Sequence, residues 1–197
     1  MARILSGNRK QFIIEEAGQL FREKGYTAAS MRDLAERVGV EAASLYNHIK
    51  SKDELLREIC FRVAHEYVSH LSQTEQMEAT YAEKVRALLR MHIAIITHDI
   101  SAVSVANNEW KHLPEPYLSE FTHIRRDYER RFAALIQKGI EAGEFRPVNP
   151  KIALFTLLAA VRWVEIWYKP GREISPQTLE RDIETILIHG LTQATAP

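Results

Sequence analysis

The apolar residues of this chain recur at helical spacing almost from end to end, and β-branched alternation never lasts more than a few residues, so the fold class is all-α. From Arg9 to Lys24, Phe12, Ile13, Ala17, Leu20 and Phe21 share one face before Gly25. Ser30-Met-Arg-Asp33 places a serine three residues ahead of an acid, the start signal of a capped helix, whose buried face reads Met31, Leu34, Ala35 and Val38 and which stops at Gly39. A short helix from Ala42 to His48 follows, and Ser51-Lys-Asp-Glu54 opens a long one through Leu55, Leu56, Ile59, Val63 and Tyr67. After a polar connection from Ser72 to Thr80, helices are expected around Val85–Ile96, Ser101–Lys111 and Tyr117–Ala142. Asn149-Pro150 then starts a helix from Ile152 to Tyr168 that loses its polar face and carries no charge until Arg162. A helix apolar nearly all round needs cover on several sides, which predicts a subunit interface. Ser175-Pro176 opens the last helix, with Leu179, Ile183, Ile186, Leu187 and Leu191 as its apolar positions.

Composition excludes several classes. A length of 197 residues allows one large domain or a small one joined to a medium one. The lone Cys60 forms no intramolecular disulfide and no cysteine-built zinc site, which points to a reducing cytoplasm. No apolar run reaches signal or membrane-spanning length, so the chain reads as soluble, with no membrane partner. Its 26 basic and 26 acidic residues cancel, which argues against coating nucleic acid by bulk charge.

The first 50 residues nevertheless have the layout of a helix-turn-helix, with short helices joined by a tight glycine-containing turn. The words Gly25-Tyr26, Ser30-Met-Arg-Asp-Leu-Ala-Glu-Arg-Val-Gly-Val40, Ser44-Leu-Tyr-Asn-His48 and Lys50-Ser-Lys-Asp-Glu-Leu55 resemble the DNA-binding domain of the tetracycline-repressor (TetR) family over about residues 9 to 56. The division expected is a DNA-binding domain over 1–50 and a helical effector-binding and dimerisation domain over 51–197. A recognition helix beginning near Glu41 presents Ala42, Ala43, Ser44, Tyr46 and Asn47 to the major groove and turns Leu45 into the core; Asn47 is suited to adenine. The resemblance implies that Tyr46 and His48 lie against the DNA backbone and that Lys52 binds a phosphate, with Ser30 and Arg32 as further phosphate candidates. Two positions depart from the family pattern. Glu41 stands where a Ser or Thr cap is usual, and its carboxylate repels phosphate unless it accepts from a cytosine amine; Ile49 replaces a phenylalanine. Residues 1 to 60 hold ten basic side chains, Arg3 among them, against nine acidic, so a single module binds weakly and a dimer on a palindromic operator is expected.

The remainder resembles repressors of fatty-acid, aromatic and steroid-ring catabolism that respond to acyl-CoA thioesters, on the words Gly143-Glu-Phe-Arg-Pro147, Trp167-Tyr-Lys-Pro-Gly171 and Ile174-Ser-Pro176. By residue type the effector pocket draws aromatic surface from Trp110, Tyr117, Phe121, Tyr128, Trp163 and Trp167 and polar groups from His98, Asn107, Asn108, Arg125 and Arg162. Arg162 needs a partner, such as Glu165, Glu109 or an anionic ligand group. The cluster Arg125, Arg126, Arg130 and Arg131 is a candidate for CoA phosphates, against the plainer reading of a solvated helix face. His65 and His70, and His92 and His98, miss the i, i+4 spacing of a helical zinc motif and read as surface residues, so no metal and no cofactor is expected. No nucleophile elbow, phosphate loop or paired-carboxylate motif is present, and the chain does not read as an enzyme. A ligand-responsive repressor is the reading, with an activator or effector-independent DNA-binding protein as the alternative.

Overall fold

Short polar side chains set the helix starts as the sequence predicts. Ser30 accepts from the Asp33 N–H while the Asp33 carboxylate accepts from the Ser30 N–H, and the Asn149 carboxamide oxygen accepts from the N–H groups of Lys151 and Ile152 with Pro150 in the first turn. The computed structural model describes residues 6–169 and 171–191; Arg3 and Pro170, and the side chain of Leu191, lie outside what is described. Its helices are α1 (Ser6–Lys24), α2 (Met31–Arg37), α3 (Ala42–Leu45), α4 (Lys52–Glu75), α5 (Tyr81–His98), α6 (Ile100–Asn108), α7 (Tyr117–Glu141), α8 (Pro150–Trp167) and α9 (Pro176–Leu191), with a 3₁₀ turn over Trp110–His112. The all-α class holds. Two boundaries differ from expectation. The helix predicted over Ala42–His48 is regular only to Leu45, and Asn47 and His48 turn back to the carbonyls of Ser44 and Leu45. At its start the Glu41 side chain caps no N–H group, unlike Ser30, Asp99 and Asn149. The opposite holds for α4, which extends into the polar segment expected as a loop and stops at Glu75.

The chain forms two compact units, and they do not divide at residue 50. The first takes the chain through His65 together with Asp99–His123; the second takes Glu66–His98 and the chain from Ile124. In the first, α6 packs along α1, with the small residues Ala17, Gly18 and Ala102 buried there. Asp99 caps α6 through the Ala102 N–H and accepts from Arg62 at 2.8 Å, so α6 is bound to α4 as well. The core below the helix-turn-helix holds Ile13, Leu20, Phe21, Leu34, Leu45, Ile49 and Leu55, all buried. Ile49 is fully enclosed, so this departure from the family pattern is a packing substitution.

In the second unit α5 packs against α8 and α9, and α8 against α9. Glu184 of α9 accepts from Arg90 at 2.6 Å and lies 3.3 Å from Arg86, pinning α9 across α5. The Gly143-Glu-Phe-Arg-Pro147 word has a structural role here. Phe145 is fully buried over Gly139, where any Cβ would overlap its ring, and Glu144 accepts from the Ala82 N–H at 2.8 Å.

Candidate nucleic-acid interface and effector site

The first unit gathers the predicted DNA-reading residues on one exposed surface. Leu45 and Ile49 point into the core, and on the opposite side Ala42, Ala43, Asn47 and Tyr46 stand in solvent, Tyr46 with 53% of its surface exposed. Ser44 and His48 are half-buried, and Arg32 is exposed on α2. Small side chains at Ala42 and Ala43 let this backbone approach a groove floor closely, with Tyr46 and Asn47 beside them.

Two of the expected phosphate ligands are otherwise engaged. The Ser30 hydroxyl both caps the Asp33 N–H and donates to the Asp33 carboxylate at 2.6 Å. Lys24, first, and then Ser30 hold the Asp33 carboxyl below the usual carboxylate range. Lys52 is turned inward. Its ammonium donates to the carbonyls of Tyr26 and Ala29, each at 2.9 Å, and lies 4.3 Å from the centre of the Tyr26 ring. The reason is local: the turn after α1 leaves carbonyls without helical partners, and a lysine at the start of α4 reaches them. The next residue, Asp53, accepts from the Tyr26 hydroxyl, and His112 stacks on the ring with centroids 5.4 Å apart. Tyr26 is therefore saturated on every side. Arg37 completes the frame, bridging α2 to Glu16, Gln19 and Glu23 of α1; Glu23, then Glu16, hold its guanidinium protonated well above its ordinary range.

The predicted effector residues fall into both units, each with its own surroundings. In the first, Phe61 of α4 meets Tyr117 and Phe121, with Trp110 against Phe121. Arg57 donates to the Tyr117 hydroxyl at 3.0 Å and lies 4.8 Å over its ring. Phe121 is buried, Asn107, Trp110 and Tyr117 are half-buried, and Asn108 is exposed, donating to the Ser104 carbonyl.

In the second unit Tyr128 is buried and lies 2.7 Å from Nε2 of His92, whose ring stacks on Tyr67 at 4.4 Å. Burial alone pushes the His92 imidazole down to about 3, so it is neutral here. This corrects the surface reading of His92. Its position among Val85, Leu88, Leu89, Ile93 and Ile96 on the buried face of α5 was the signal that spacing offered. His98 and His65 are exposed, as read. Arg162, Trp163 and Trp167, expected in the effector pocket, stand exposed on α8, Trp163 at 63% exposure. The charge inside the apolar α8 is buried at Glu165 instead. Of the arginine cluster, Arg125 is half-buried, Arg130 and Arg131 pair with Asp127, and Arg131 also binds Glu75 at 2.5 Å and Ser72 at 2.8 Å. Arg57, Phe61, Tyr67, His92 and Glu165 are the site residues that residue type alone did not single out.

Residues 13–59, which carry the helix-turn-helix surface, match the family described as bacterial regulatory proteins, tetR family, and residues 78–191 match the tetracyclin repressor-like C-terminal domain. The chain belongs to the TetR family. Family members are DNA-binding transcriptional regulators rather than enzymes. Among curated proteins, this TetR-family chain is 25% identical over 189 residues to the transcriptional repressor KstR2 of Mycolicibacterium smegmatis, covering 95% of this chain and 92% of that one. It is 29% identical to KstR2 of Rhodococcus jostii, covering 94% and 92%. In fold it resembles the ketosteroid transcriptional regulator KstR2 of Mycobacterium tuberculosis, with a TM-score of 0.90, 22% identity and coverage of 98% and 100%. It also resembles AibR in complex with isovaleryl coenzyme A and operator DNA, with a TM-score of 0.79, 24% identity and coverage of 91% and 98%.

Proposed function

We propose that this TetR-family regulator is a repressor that binds a palindromic operator as a homodimer in the cytoplasm and is released by a small, largely apolar effector, an acyl-CoA thioester of fatty-acid, aromatic or steroid breakdown. The observation that carries the DNA half is the exposed surface of Ala42, Ala43, Tyr46 and Asn47 above a buried Leu45 and Ile49. Arg32, Tyr46, Asn47 and His48 make the DNA contacts, and Lys52 acts by fixing the turn that carries them. Similarity to KstR2 repressors along most of the chain supports repression, and the isovaleryl coenzyme A bound by AibR supports the effector class.

The dimer reading rests on the outer face of α8. Ile152, Phe155, Trp163, Ile166 and Trp167 repeat at helical spacing and are all exposed, as is Ile186 of α9. A contiguous apolar stripe of this size is stable in water when a second copy covers it. Coupling runs through α4, the one helix that carries Lys52, Asp53, Arg57, Phe61 and Tyr67.

Fluorescence anisotropy on a labelled fragment of the protein's own promoter tests the reading. Saturable binding is expected, weakened at least tenfold by Tyr46→Ala and reversed by an acyl-CoA such as isovaleryl-CoA or a longer homologue. Binding indifferent to Tyr46, or indifferent to every acyl-CoA, contradicts the corresponding half.

A further inference from the structure

In the second unit, side chains from four helices converge on one enclosed polar cluster: Tyr67 from α4, His92 from α5, Tyr128 from α7 and Glu165 from α8. Tyr128 and His92 share a hydrogen bond of 2.7 Å, the Tyr67 ring stacks on His92 at 4.4 Å, and the two tyrosine rings lie 6.0 Å apart. The charge of Glu165 acts on the Tyr67 phenol, second to burial itself. Buried polar groups usually pair off among themselves, as Tyr128 and His92 do here. The Tyr67 hydroxyl makes no hydrogen bond among the described residues.

Tyr67 has a second property. It lies deep enough that burial raises its phenol above the ordinary range, yet the residue keeps accessible surface. A tyrosine packed in a core has no accessible surface, and one on the outside feels no such burial. Tyr67 is therefore deep in the second unit and still reachable from outside its own packing. The pair behind it is adaptable. Whichever of Tyr128 and His92 donates in their shared bond, the other can accept, so the pair can reverse its polarity to suit what Tyr67 meets.

The charges that act on the Tyr67 phenol disfavour an anion beside it. His92 is neutral, and the charged groups that act on Tyr67 are the carboxylates of Glu165 and Glu66. Arg131 acts on Tyr128, and its guanidinium is already held by Glu75 and Asp127. A carboxylate brought here sheds its water beside two carboxylates and a neutral imidazole. An uncharged oxygen gains the free Tyr67 O–H and loses little.

We propose that Tyr67, His92 and Tyr128 form the polar end of the effector chamber and receive an uncharged carbonyl or hydroxyl oxygen of an otherwise apolar ligand, to the exclusion of a carboxylate. This rests on the effector-binding reading above and adds to it a rule of selection: the thioester carbonyl or a ring ketone is accepted, and the free acid left by thioester hydrolysis is refused.

Isothermal titration of the full-length protein at neutral pH with methyl octyl ketone and with decanoate, which share a chain length, tests the rule. The ketone is expected to bind and decanoate to bind at least tenfold more weakly, with Tyr67→Phe weakening the ketone about tenfold at unchanged thermal stability. Decanoate binding as tightly as the ketone overturns the proposal, as does ketone affinity indifferent to Tyr67→Phe. Failure of both probes to bind the wild-type protein overturns it too, and leaves the effector reading itself to the operator-release experiment with acyl-CoA.

Discussion

Tyr26 in the first unit and Tyr67 in the second are both interior tyrosines beside a histidine, and their surroundings differ in one respect. Tyr26 has every handle taken: Asp53 accepts from its hydroxyl, Lys52 lies over one face and His112 stacks on the ring. Tyr67 stacks on His92, and its hydroxyl makes no hydrogen bond among the described residues. A saturated tyrosine fixes a shape, and one with an open hydroxyl is prepared for something to arrive. The polar frame around Tyr26 accordingly ties the start of α4 to the turn after α1, and the Tyr67 hydroxyl keeps its donor open to an incoming group.

That contrast can be broken by substitution. Tyr26→Ala has the largest expected effect: losing a buried aromatic ring, its carboxylate bond and its stack should cost about 3–5 kcal/mol, read by urea unfolding, with operator binding lost alongside. Lys52→Ala should cost about 2–3 kcal/mol, because it leaves the Tyr26 and Ala29 carbonyls without their charged donor. A Lys52→Ala protein of unchanged stability would mean that the ammonium is free for phosphate after all.

His92 supplies a pH test of the second unit. Its folded-state value is lowered to about 3 against 6.5 for the free side chain, so the unfolded chain takes up the proton first. Stability is therefore complete above pH 6.5 and falls as pH drops from there toward 3. Between pH 7 and pH 5 the loss from this residue is about 2 kcal/mol, and His92→Gln should flatten that slope. Ser30→Ala should cost about 1 kcal/mol through the lost cap on α2. The smallest effect separates the tyrosines most directly. Tyr67→Phe should change stability by less than about 0.5 kcal/mol, since its hydroxyl makes no hydrogen bond among the described residues, whereas Tyr26→Phe should cost about 0.5–1.5 kcal/mol by removing its bond to the exposed Asp53.

What could be read in the sequence was local. The Ser30–Asp33 box, the Asn149-Pro150 start and Gly25 after α1, with φ at +80°, all act within a turn of chain, and each is where the spacing put it. Helix periodicity likewise gave the buried faces of α1, α2 and α5. Long-range partners were not legible. Nothing in Ser51-Lys-Asp-Glu54 says that Lys52 reaches back to the turn at Tyr26 and Ala29, or that Asp53 meets the Tyr26 hydroxyl. Side-chain type also misled. Trp163 and Trp167 read as pocket aromatics and face outward, and His92 read as a surface residue and lies in the core. Tryptophan and histidine serve interfaces, pockets and cores alike, and only the neighbouring helices decide among them.

In the proposed function, operator and effector oppose each other through one protein. Operator affinity is measured with and without a saturating acyl-CoA, and the affinity for that acyl-CoA with and without operator. Linkage requires the two ratios to be equal, and each ligand should weaken the other by a coupling of about 1–3 kcal/mol. An acyl-CoA that binds tightly while operator affinity stays the same would contradict it.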